Sequence, residues 1–449
     1  MKKTLVSLAA ASLIVTSAVA ADKGIDIVTT GQAVVYYQTT ENNGNKNDAY
    51  GQDTGLFSKG SAKANVGVQL NLDADLKNNF TFGTQLTYLG TAGLEGNLVS
   101  GVLQNIGNTD FAGGNGVVDN DNLTDEIALT KIFIAKKIAN TTVKIGRQEL
   151  PQALSPLAYS EGWNVFKNTF EALLVVNTDV PDTTLVGAYV SAVNDVTGDL
   201  GNFDNIAAGT GLAVNNVTAG AYMLTAQNKS LPMTTITASY YDVAKAINNG
   251  TTNDGISAMW FDASVADKSL PMGLKVGLQG GMVMTDTVNY EDTTAFGVRV
   301  GMNPIEALTV CAAFSSVDGA SGTKKNLSMQ NMGGIKTPLY TQMIFNQDWI
   351  KSDANTFMLK AAYNTGDYGM IIAQASITDA GDHSAQTYTD GSGKTQGQDL
   401  TDLELVYKIK AGEVDFLAAY IHRDYDKNSG ATAAKDADDT VRLVARYNF

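Results

Sequence analysis

The sequence predicts an all-β protein, a single closed antiparallel transmembrane β-barrel of eighteen strands, with sixteen strands as the alternative. Two observations lead to this fold class. Apolar and polar residues alternate along most of the chain, and short and long connections alternate between the segments. Alternation with a period of two is typical of strands that have one apolar face and one polar face.

Composition excludes several other classes of protein. The 449 residues include 31 Lys and Arg against 46 Asp and Glu, with a formal net charge of -15 and one cysteine. A nucleic-acid-binding protein would carry an excess or a patch of basic residues, so we expect no nucleic-acid partner. A single cysteine excludes an internal disulfide framework. With 44% hydrophobic residues, the chain is also too apolar for a disordered protein.

The N-terminus predicts a cleaved signal peptide. Met1-Lys2-Lys3 is a basic start, residues 5–19 are mostly apolar, and Ala18-Val19-Ala20 has the small residues of a cleavage site. A membrane anchor is the alternative, although this stretch is short for a spanning helix. We therefore expect a signal peptide at residues 1–20 for the general secretory route and a single barrel domain at residues 21–449.

After the N-terminus, the alternation predicts the eighteen strands in turn. It is clearest where Val66, Val68, Leu70 and Leu72 alternate with polar residues or glycine. Most segments are close to the roughly 9–11 residues that a tilted membrane strand requires. In chain order, the predicted strands are residues 25–37, 62–75, 80–89, 126–136, 141–149, 166–177, 183–192, 217–226, 233–243, 255–266, 272–285, 293–302, 307–315, 355–364, 368–378, 400–410, 413–423 and 440–449.

The connections support the same fold. They are short after the even-numbered strands, as at residues 303–306 and 411–412, and mostly longer after the odd-numbered strands, as at 90–125 and 316–354. Short periplasmic turns and long extracellular loops are the layout of a transmembrane β-barrel. All seven prolines lie outside the predicted strands, as expected for a barrel without an edge strand.

The end of the chain introduces a family resemblance. Tyr447-Asn448-Phe449 resembles the C-terminal signal that the assembly machinery of bacterial outer-membrane barrels reads, with Tyr447 and Phe449 as its aromatic residues. Together with the signal peptide and the strand pattern, it makes the mature chain similar to Gram-negative porins. The segment 144–150, KIGRQEL, followed by NTFE at 168–171, resembles the eighteen-stranded porin D family and the epsilon-proteobacterial major outer-membrane porins.

This resemblance implies an outer-membrane channel for the passive diffusion of ions and small hydrophilic solutes. Its implied partners are outer-membrane lipid, lipopolysaccharide and the assembly machinery, and its implied state is a homotrimer, with a monomer as the alternative. Only five arginines are present, which departs from family members with a pronounced basic ladder and leaves carboxylate specificity open. The alternative function is a surface-exposed barrel that acts mainly as an adhesin or structural envelope protein. The number of strands distinguishes the channel from the adhesin or structural protein, because a barrel of 16–18 strands encloses an aqueous channel.

The alternation also predicts which charged residues line the pore. A cation that faces lipid at mid-membrane costs about 2–4 kcal/mol, whereas one in a wet lumen stays hydrated. Strands 16 to 18 are neighbours of strand 1 in a closed barrel, so their cations should form one basic patch. Arg147 instead shares its face with Val143 and Ile145, which predicts a bulge or a position at the outer end of the strand. The predicted pore-lining residues are Arg299, Lys360, Glu404, Lys408, Asp415, Arg442 and Arg446.

The loop at residues 151–165 is predicted to fold inward and narrow the pore, because it is too apolar for a freely solvated loop. The alternative is that it packs at the barrel rim or at a subunit interface. We expect Glu161 to face the basic patch and to create a transverse field. The residues assigned to this constriction are Pro151, Leu154, Leu157, Tyr159, Glu161 and Trp163.

No enzyme, cofactor or metal site is predicted. Asp382-His383 lies in a long loop and His422 has no nearby serine in the sequence, so neither pattern supports catalysis. The acidic stretch at 119–126 has oxygen ligands that suit a hard cation, but its spacing is not that of an EF-hand, and a solvated acidic loop is the favoured interpretation. Cys311 alternates with Thr309 and Ala313 and should face the interior.

Overall fold

The structure is a computed structural model. It describes residues 25–42, 55–58, 61–90, 92–94, 126–162, 165–194, 200–201, 203–205, 220–248, 253–389, 393–425 and 437–449. The predicted signal peptide at 1–20, most of the acidic stretch at 119–126 and the predicted constriction residue Trp163 lie outside these residues.

Eighteen strands form the barrel wall, in agreement with the sequence. They are β1 (Asp26–Asn42), β2 (Ala62–Lys77), β3 (Phe80–Gly90), β4 (Glu126–Ile138), β5 (Thr141–Gln148), β6 (Phe170–Asn177), β7 (Thr183–Val193), β8 (Ala221–Asn228), β9 (Thr234–Asn248), β10 (Asn253–Ala266), β11 (Lys275–Thr285), β12 (Thr293–Ile305), β13 (Leu308–Val317), β14 (Ala354–Asn364), β15 (Met370–Ala380), β16 (Leu400–Ala411), β17 (Val414–Tyr425) and β18 (Ala437–Asn448).

The barrel closes where β18 pairs with β1. The two strands are antiparallel, with Gln32 opposite Asn448 and Gln38 opposite Arg442. Beyond the last strand, Gly31 N donates to Phe449 O at 2.7 Å and Phe449 N donates to Gly31 O at 3.0 Å. A closed sheet leaves no unpaired edge, which lipid could not satisfy. The prediction of eighteen strands is confirmed, and the sixteen-strand alternative is wrong.

Several strand boundaries differ from the prediction for local reasons. The predicted strand at 166–177 begins only at Phe170, because residues 166–169 belong to a loop inside the barrel. The segment predicted from residue 272 begins at Lys275, because Pro271–Gly273 forms a 3-10 turn in which Met272 has a φ of 54°. Pro304 lies within β12, contrary to the prediction, where the register with β13 shifts between Met302 and Ile305. A shifted register needs no ladder bond from proline, which has no N–H.

Turns of a few residues join neighbouring strands at one end of the barrel, as at 139–140 and 412–413, and most connections at the other end are longer. Two of the longer ones turn into the barrel. We call residues 149–169 inner loop A and residues 318–353 inner loop B, which contains a single helical turn, α1 (Gln347–Ile350). No helix in the described part of the chain is long and apolar enough to cross a membrane.

The two faces of the wall differ in polarity. Large apolar side chains are exposed on the outer face at alternating positions, for example Leu403 and Leu405 on β16 and Leu443 on β18. Between them, Glu404 and Arg442 point inward and are buried. Inside the barrel, the apolar side chains of the inner loops pack against the inner faces of β6 to β13, β16 and β17 and form the largest buried cluster. Two smaller clusters join the inner loops to β1, β3 and β15 to β18. The inner loops therefore contact most of the barrel wall from within.

Candidate functional site

The interior face carries all seven of the charged residues that the sequence assigns to the pore. Each one shares its face with buried inward positions on its strand, as Lys360 does with Thr356 and Met358. Five of the seven, joined by Lys410, line a cavity of about 890 Å³ beside the short turns, which also contacts Gly162 of inner loop A and Ile344 of inner loop B. The charged residues of its wall are Lys360, Asp367, Lys408, Lys410, Asp415, Arg442 and Arg446. Cations therefore dominate this cavity.

The two arginines of β18 donate hydrogen bonds to neutral acceptors on β1 and on inner loop A. Arg442 donates through Nε at 3.2 Å and Nη2 at 3.0 Å to Gln38 Oε1. Arg446 donates through Nη1 to Gln32 Oε1 and through Nη2 to the carbonyl of Val165 at 2.8 Å. Amide and carbonyl oxygens orient a guanidinium group without themselves neutralising it, and the carboxylate residue Asp415 lies opposite Arg446 in the register of β17 and β18.

Arg299 and Glu404 lie at other places in the lumen. Arg299 on β12 stacks its guanidinium carbon 4.0 Å from the ring centroid of Tyr340, whose hydroxyl donates to Asp262 on β10. Glu404 on β16 accepts the backbone N–H of Ile344 at 2.7 Å and an N–H of Gln374. Both residues therefore hold inner loop B against the wall, which is a role that the sequence did not suggest.

The predicted constriction segment lies inside the barrel. Leu157 and Tyr159 are buried, Leu154 is partly buried, and Pro151 is exposed. Leu157 N donates to the hydroxyl of Tyr241 on the inner face of β9 at 3.1 Å, and Tyr159 N donates to Asn331 Oδ1 in inner loop B at 2.8 Å. The segment thus contacts the wall on one side and the second inner loop on the other.

Sequence reasoning missed inner loop B, which contributes more of the lumen filling than inner loop A. Leu327, Met329, Leu339 and Ile350 are almost completely buried in it. The available signal was the density of apolar residues between 327 and 350, which is unusual for a solvated loop. Such a loop is stable only when apolar surface covers it, and the barrel interior supplies that surface.

A polar junction joins the two inner loops at Glu161 and Lys336. Glu161 is 2% exposed and accepts hydrogen bonds from Asn331 Nδ2 at 2.7 Å and from Lys336 N at 2.8 Å. The Lys336 ammonium donates to the carbonyl of Met343 at 3.2 Å, to Gln347 Oε1 at 3.1 Å and to the carbonyl of Ile344. Burial lowers the pKa of Lys336 to about 7, against the opposing attraction of Glu161.

Arg147 lies at the loop end of β5, as the sequence indicated. Its Nε donates to Glu171 Oε1 on β6 at 2.8 Å, and its Nη1 donates to the carbonyl of Leu129 on β4 at 3.0 Å. Gly146 before it has a φ of 121°, and a Cβ there would collide with the carbonyl of Ile132. The sequence motif that carries the family resemblance therefore forms a cross-strand ion pair at the rim.

The remaining candidates occupy structural positions. The backbone N–H of His383 donates to Asp353 Oδ2 at 2.8 Å, and His422 Nδ1 lies 2.8 Å from Asp439 Oδ1 on the next strand. Across the residues that the structure describes, no group of three or more His, Cys, Asp or Glu side chains is arranged to hold a metal ion. Cys311 is half-buried on the interior face, opposite Lys360 in the register of β13 and β14.

Several solved outer-membrane proteins have a similar structure. OccK8 (OprE) of Pseudomonas aeruginosa aligns with a TM-score of 0.66 at 14% identity, over 94% of this chain and 98% of that one. The outer membrane protein opdK of the same organism gives a TM-score of 0.67 at 13% identity over the same shares of the two chains. The chain has their fold. OccAB2 of Acinetobacter baumannii gives 0.64 at 14% identity, again over 94% and 98%.

Sequence comparison adds no family. No protein-family model matches the chain, and no curated protein matches it either. At identities of 13–14%, the structural likeness establishes the fold alone, so the function has to be argued from the lumen.

Proposed function

We propose that this protein is a porin of the Gram-negative outer membrane, a water-filled channel for the passive diffusion of ions and small hydrophilic solutes. The observation that carries the proposal is the charged cavity of about 890 Å³ inside a closed barrel of eighteen strands. Barrels of this size leave an aqueous interior, whereas eight-stranded barrels are filled by side chains. Charged side chains are tolerated there because the lumen is hydrated.

The outer face and the C-terminus support a location in the outer membrane. Exposed apolar side chains at alternating positions suit lipid, and the rings of Tyr447 and Phe449 stack with centroids 5.7 Å apart on that face. In this proposal, the short turns and both termini face the periplasm, and the long connections face the cell exterior. Cleavage of residues 1–20, recognition by the assembly machinery, contact with lipopolysaccharide and a homotrimeric state, with a monomer as the alternative, belong to the same proposal.

The charges of the cavity favour small anions as solutes. Five cations face two carboxylates, Asp367 and Asp415, on its wall. In a narrow lumen, the field of the nearby charges acts on a solute more strongly than the net charge of -15 of the whole chain. One solved structure is of OpdK of Pseudomonas aeruginosa with vanillate, an aromatic carboxylate. Small organic carboxylates are therefore the first solutes to test on this protein.

Reversal potentials in planar bilayers under a salt gradient test the proposal. The double variant Arg442→Glu with Arg446→Glu should shift the reversal potential toward cation selectivity. The matched control is Lys324→Glu with Lys325→Glu, the same change of charge on two exposed residues of inner loop B. If the wild type forms no channel, the adhesin or structural alternative is favoured. If only the control shifts the reversal potential, the arginines do not face the conducting path.

A further inference from the structure

A chain of side-chain hydrogen bonds crosses the inner face of the wall from β18 to β3. It starts at Arg446, whose Nη1 donates to Gln32 Oε1 on β1. Gln32 Nε2 donates to Gln69 Oε1 on β2 at 2.6 Å, and Gln69 Nε2 donates to Gln85 Oε1 on β3 at 3.1 Å. Gln85 Nε2 then donates to Asn71 Oδ1 on β2 at 2.7 Å. One arginine and four side-chain amides are thus joined in series.

The guanidinium group of Arg446 fixes the direction of this chain. A guanidinium group has N–H donors and no acceptor, so Gln32 must turn its oxygen toward Arg446 and its NH2 group toward Gln69. Each later amide has its oxygen occupied by the amide before it, so its own NH2 group must point onward. The reverse direction would place the NH2 group of Gln32 against the N–H groups of Arg446. The chain therefore has one polarity, with acceptors toward Arg446 and donors away from it.

The middle of the chain is buried and held by further hydrogen bonds. Gln69 and Gln85 are each 3% exposed. Gln69 Nε2 also donates to Thr87 Oγ1 at 3.0 Å, and Gln85 Oε1 accepts a bond from the hydroxyl of Thr130 at 2.8 Å. Hydrogen bonds in series polarise one another, because an amide donates more strongly when its own oxygen accepts a bond. The two glutamines therefore transmit the orientation that Arg446 imposes, and their burial keeps them out of contact with a solute.

The chain turns back at Gln85 and ends beside its beginning. Gln85 occupies Asn71 Oδ1, and Asn71 Nδ2 donates to Thr30 Oγ1 on β1 at 3.3 Å. Thr30 and Gln32 are successive inward residues of β1, roughly 7 Å apart. Asn71 is half-buried and Thr30 is exposed. The chain therefore presents N–H and O–H donors to the lumen, close to the arginine that orients it.

We propose that Asn71 and Thr30 form a donor site for the carboxylate oxygens of solutes, and that Arg446 is the positioning residue that orients this site through the glutamines. An ionised carboxylate only accepts hydrogen bonds, so it matches the N–H and O–H groups at the end of the chain. The guanidinium group supplies charge nearby, and the donor site supplies directed hydrogen bonds. The proposal rests on the channel function proposed above, and it adds specificity-determining residues that carry no charge.

Reversal potentials under a gradient of potassium acetate in planar bilayers test this proposal. Asn71→Ala should lower the acetate-to-potassium permeability ratio about twofold, which is the effect of one weak neutral hydrogen bond. Gln85→Met should lower the ratio similarly, because it interrupts the chain at a buried, uncharged position three strands from Arg446. The double variant should lose no more than either single variant. Thr225→Val, which removes a buried hydroxyl from the inner face of β8, is the control and should keep the wild-type ratio.

Arg446→Met gives the same comparison from the other end of the chain if Gln85→Met fails to assemble. Without the guanidinium group, the amides lose their common direction, so Asn71→Ala should change the ratio much less in this background than in the wild type. A wild-type ratio in Asn71→Ala would overturn the donor site. Effects that multiply, for Asn71→Ala with either Gln85→Met or Arg446→Met, would overturn the orientation by the chain. A wild type without any conductance would instead contradict the channel itself.

Discussion

Glu161 offers the sharpest test of how the inner loops are held. Its carboxylate accepts hydrogen bonds from Asn331 Nδ2 at 2.7 Å and Lys336 N at 2.8 Å, and it is 2% exposed. Glu161→Ala would leave both donors buried without this acceptor. A buried donor without a partner costs about 1–3 kcal/mol. We therefore expect the packed arrangement of the two loops to lose at least about 2 kcal/mol.

Hydrogen–deuterium exchange followed by mass spectrometry measures this loss locally. A change of about 2 kcal/mol corresponds to a roughly thirtyfold loss of protection, since each 1.4 kcal/mol is tenfold. The loss should be confined to peptides from the two inner loops, above all residues 327–347, with the strands unchanged. Glu413→Ala, an exposed glutamate in the turn before β17, is the control and should leave exchange unchanged everywhere. Wild-type protection of residues 327–347 in Glu161→Ala would refute the reasoning.

Three further predictions concern the wall. A cationic methanethiosulfonate should reduce the conductance by modifying Cys311, which faces the interior, whereas a Cys311→Ser channel should be insensitive. Gly31→Val should lower the yield of heat-modifiable barrel on gels, because its Cβ would collide with the ring of Phe449; an unchanged yield would contradict this contact. Asp438→Asn should lower the melting temperature of the barrel. Arg423 donates two hydrogen bonds to this buried carboxylate, at 2.9 and 2.8 Å. Breaking such a buried ion pair costs about 3–5 kcal/mol.

The barrel wall could be predicted from the sequence because the membrane constrains each strand separately. Every strand must present apolar side chains to lipid at alternate positions, and this pattern is readable without knowledge of the neighbouring strands. The deviations occurred where local backbone chemistry overrode the pattern. Met272 adopts a left-handed conformation in a turn, and Pro304 is accommodated by a register shift.

The lumen was less predictable because contacts distant in sequence determine it. Glu161 and Lys336 are 175 residues apart, and neither residue's sequence neighbours indicate the pairing. A lysine in a loop is normally solvated, so the burial of Lys336 follows only from the folding of two loops into one barrel. The inward direction of Arg442 and Arg446 followed from alternation, but their glutamine partners on β1 did not.

The seam between β1 and β18 has a consequence for the speed of folding. Arg442 and Gln38, which meet across it, are 404 residues apart in the chain. Pairing at such a separation carries a large loop-closure entropy, and folds rich in distant contacts form slowly. The other strands of the wall pair with their neighbours in sequence, so they can form hairpins early. The seam is therefore the expected rate-limiting step, and variants at Gly31 should slow barrel closure more than variants within any single hairpin.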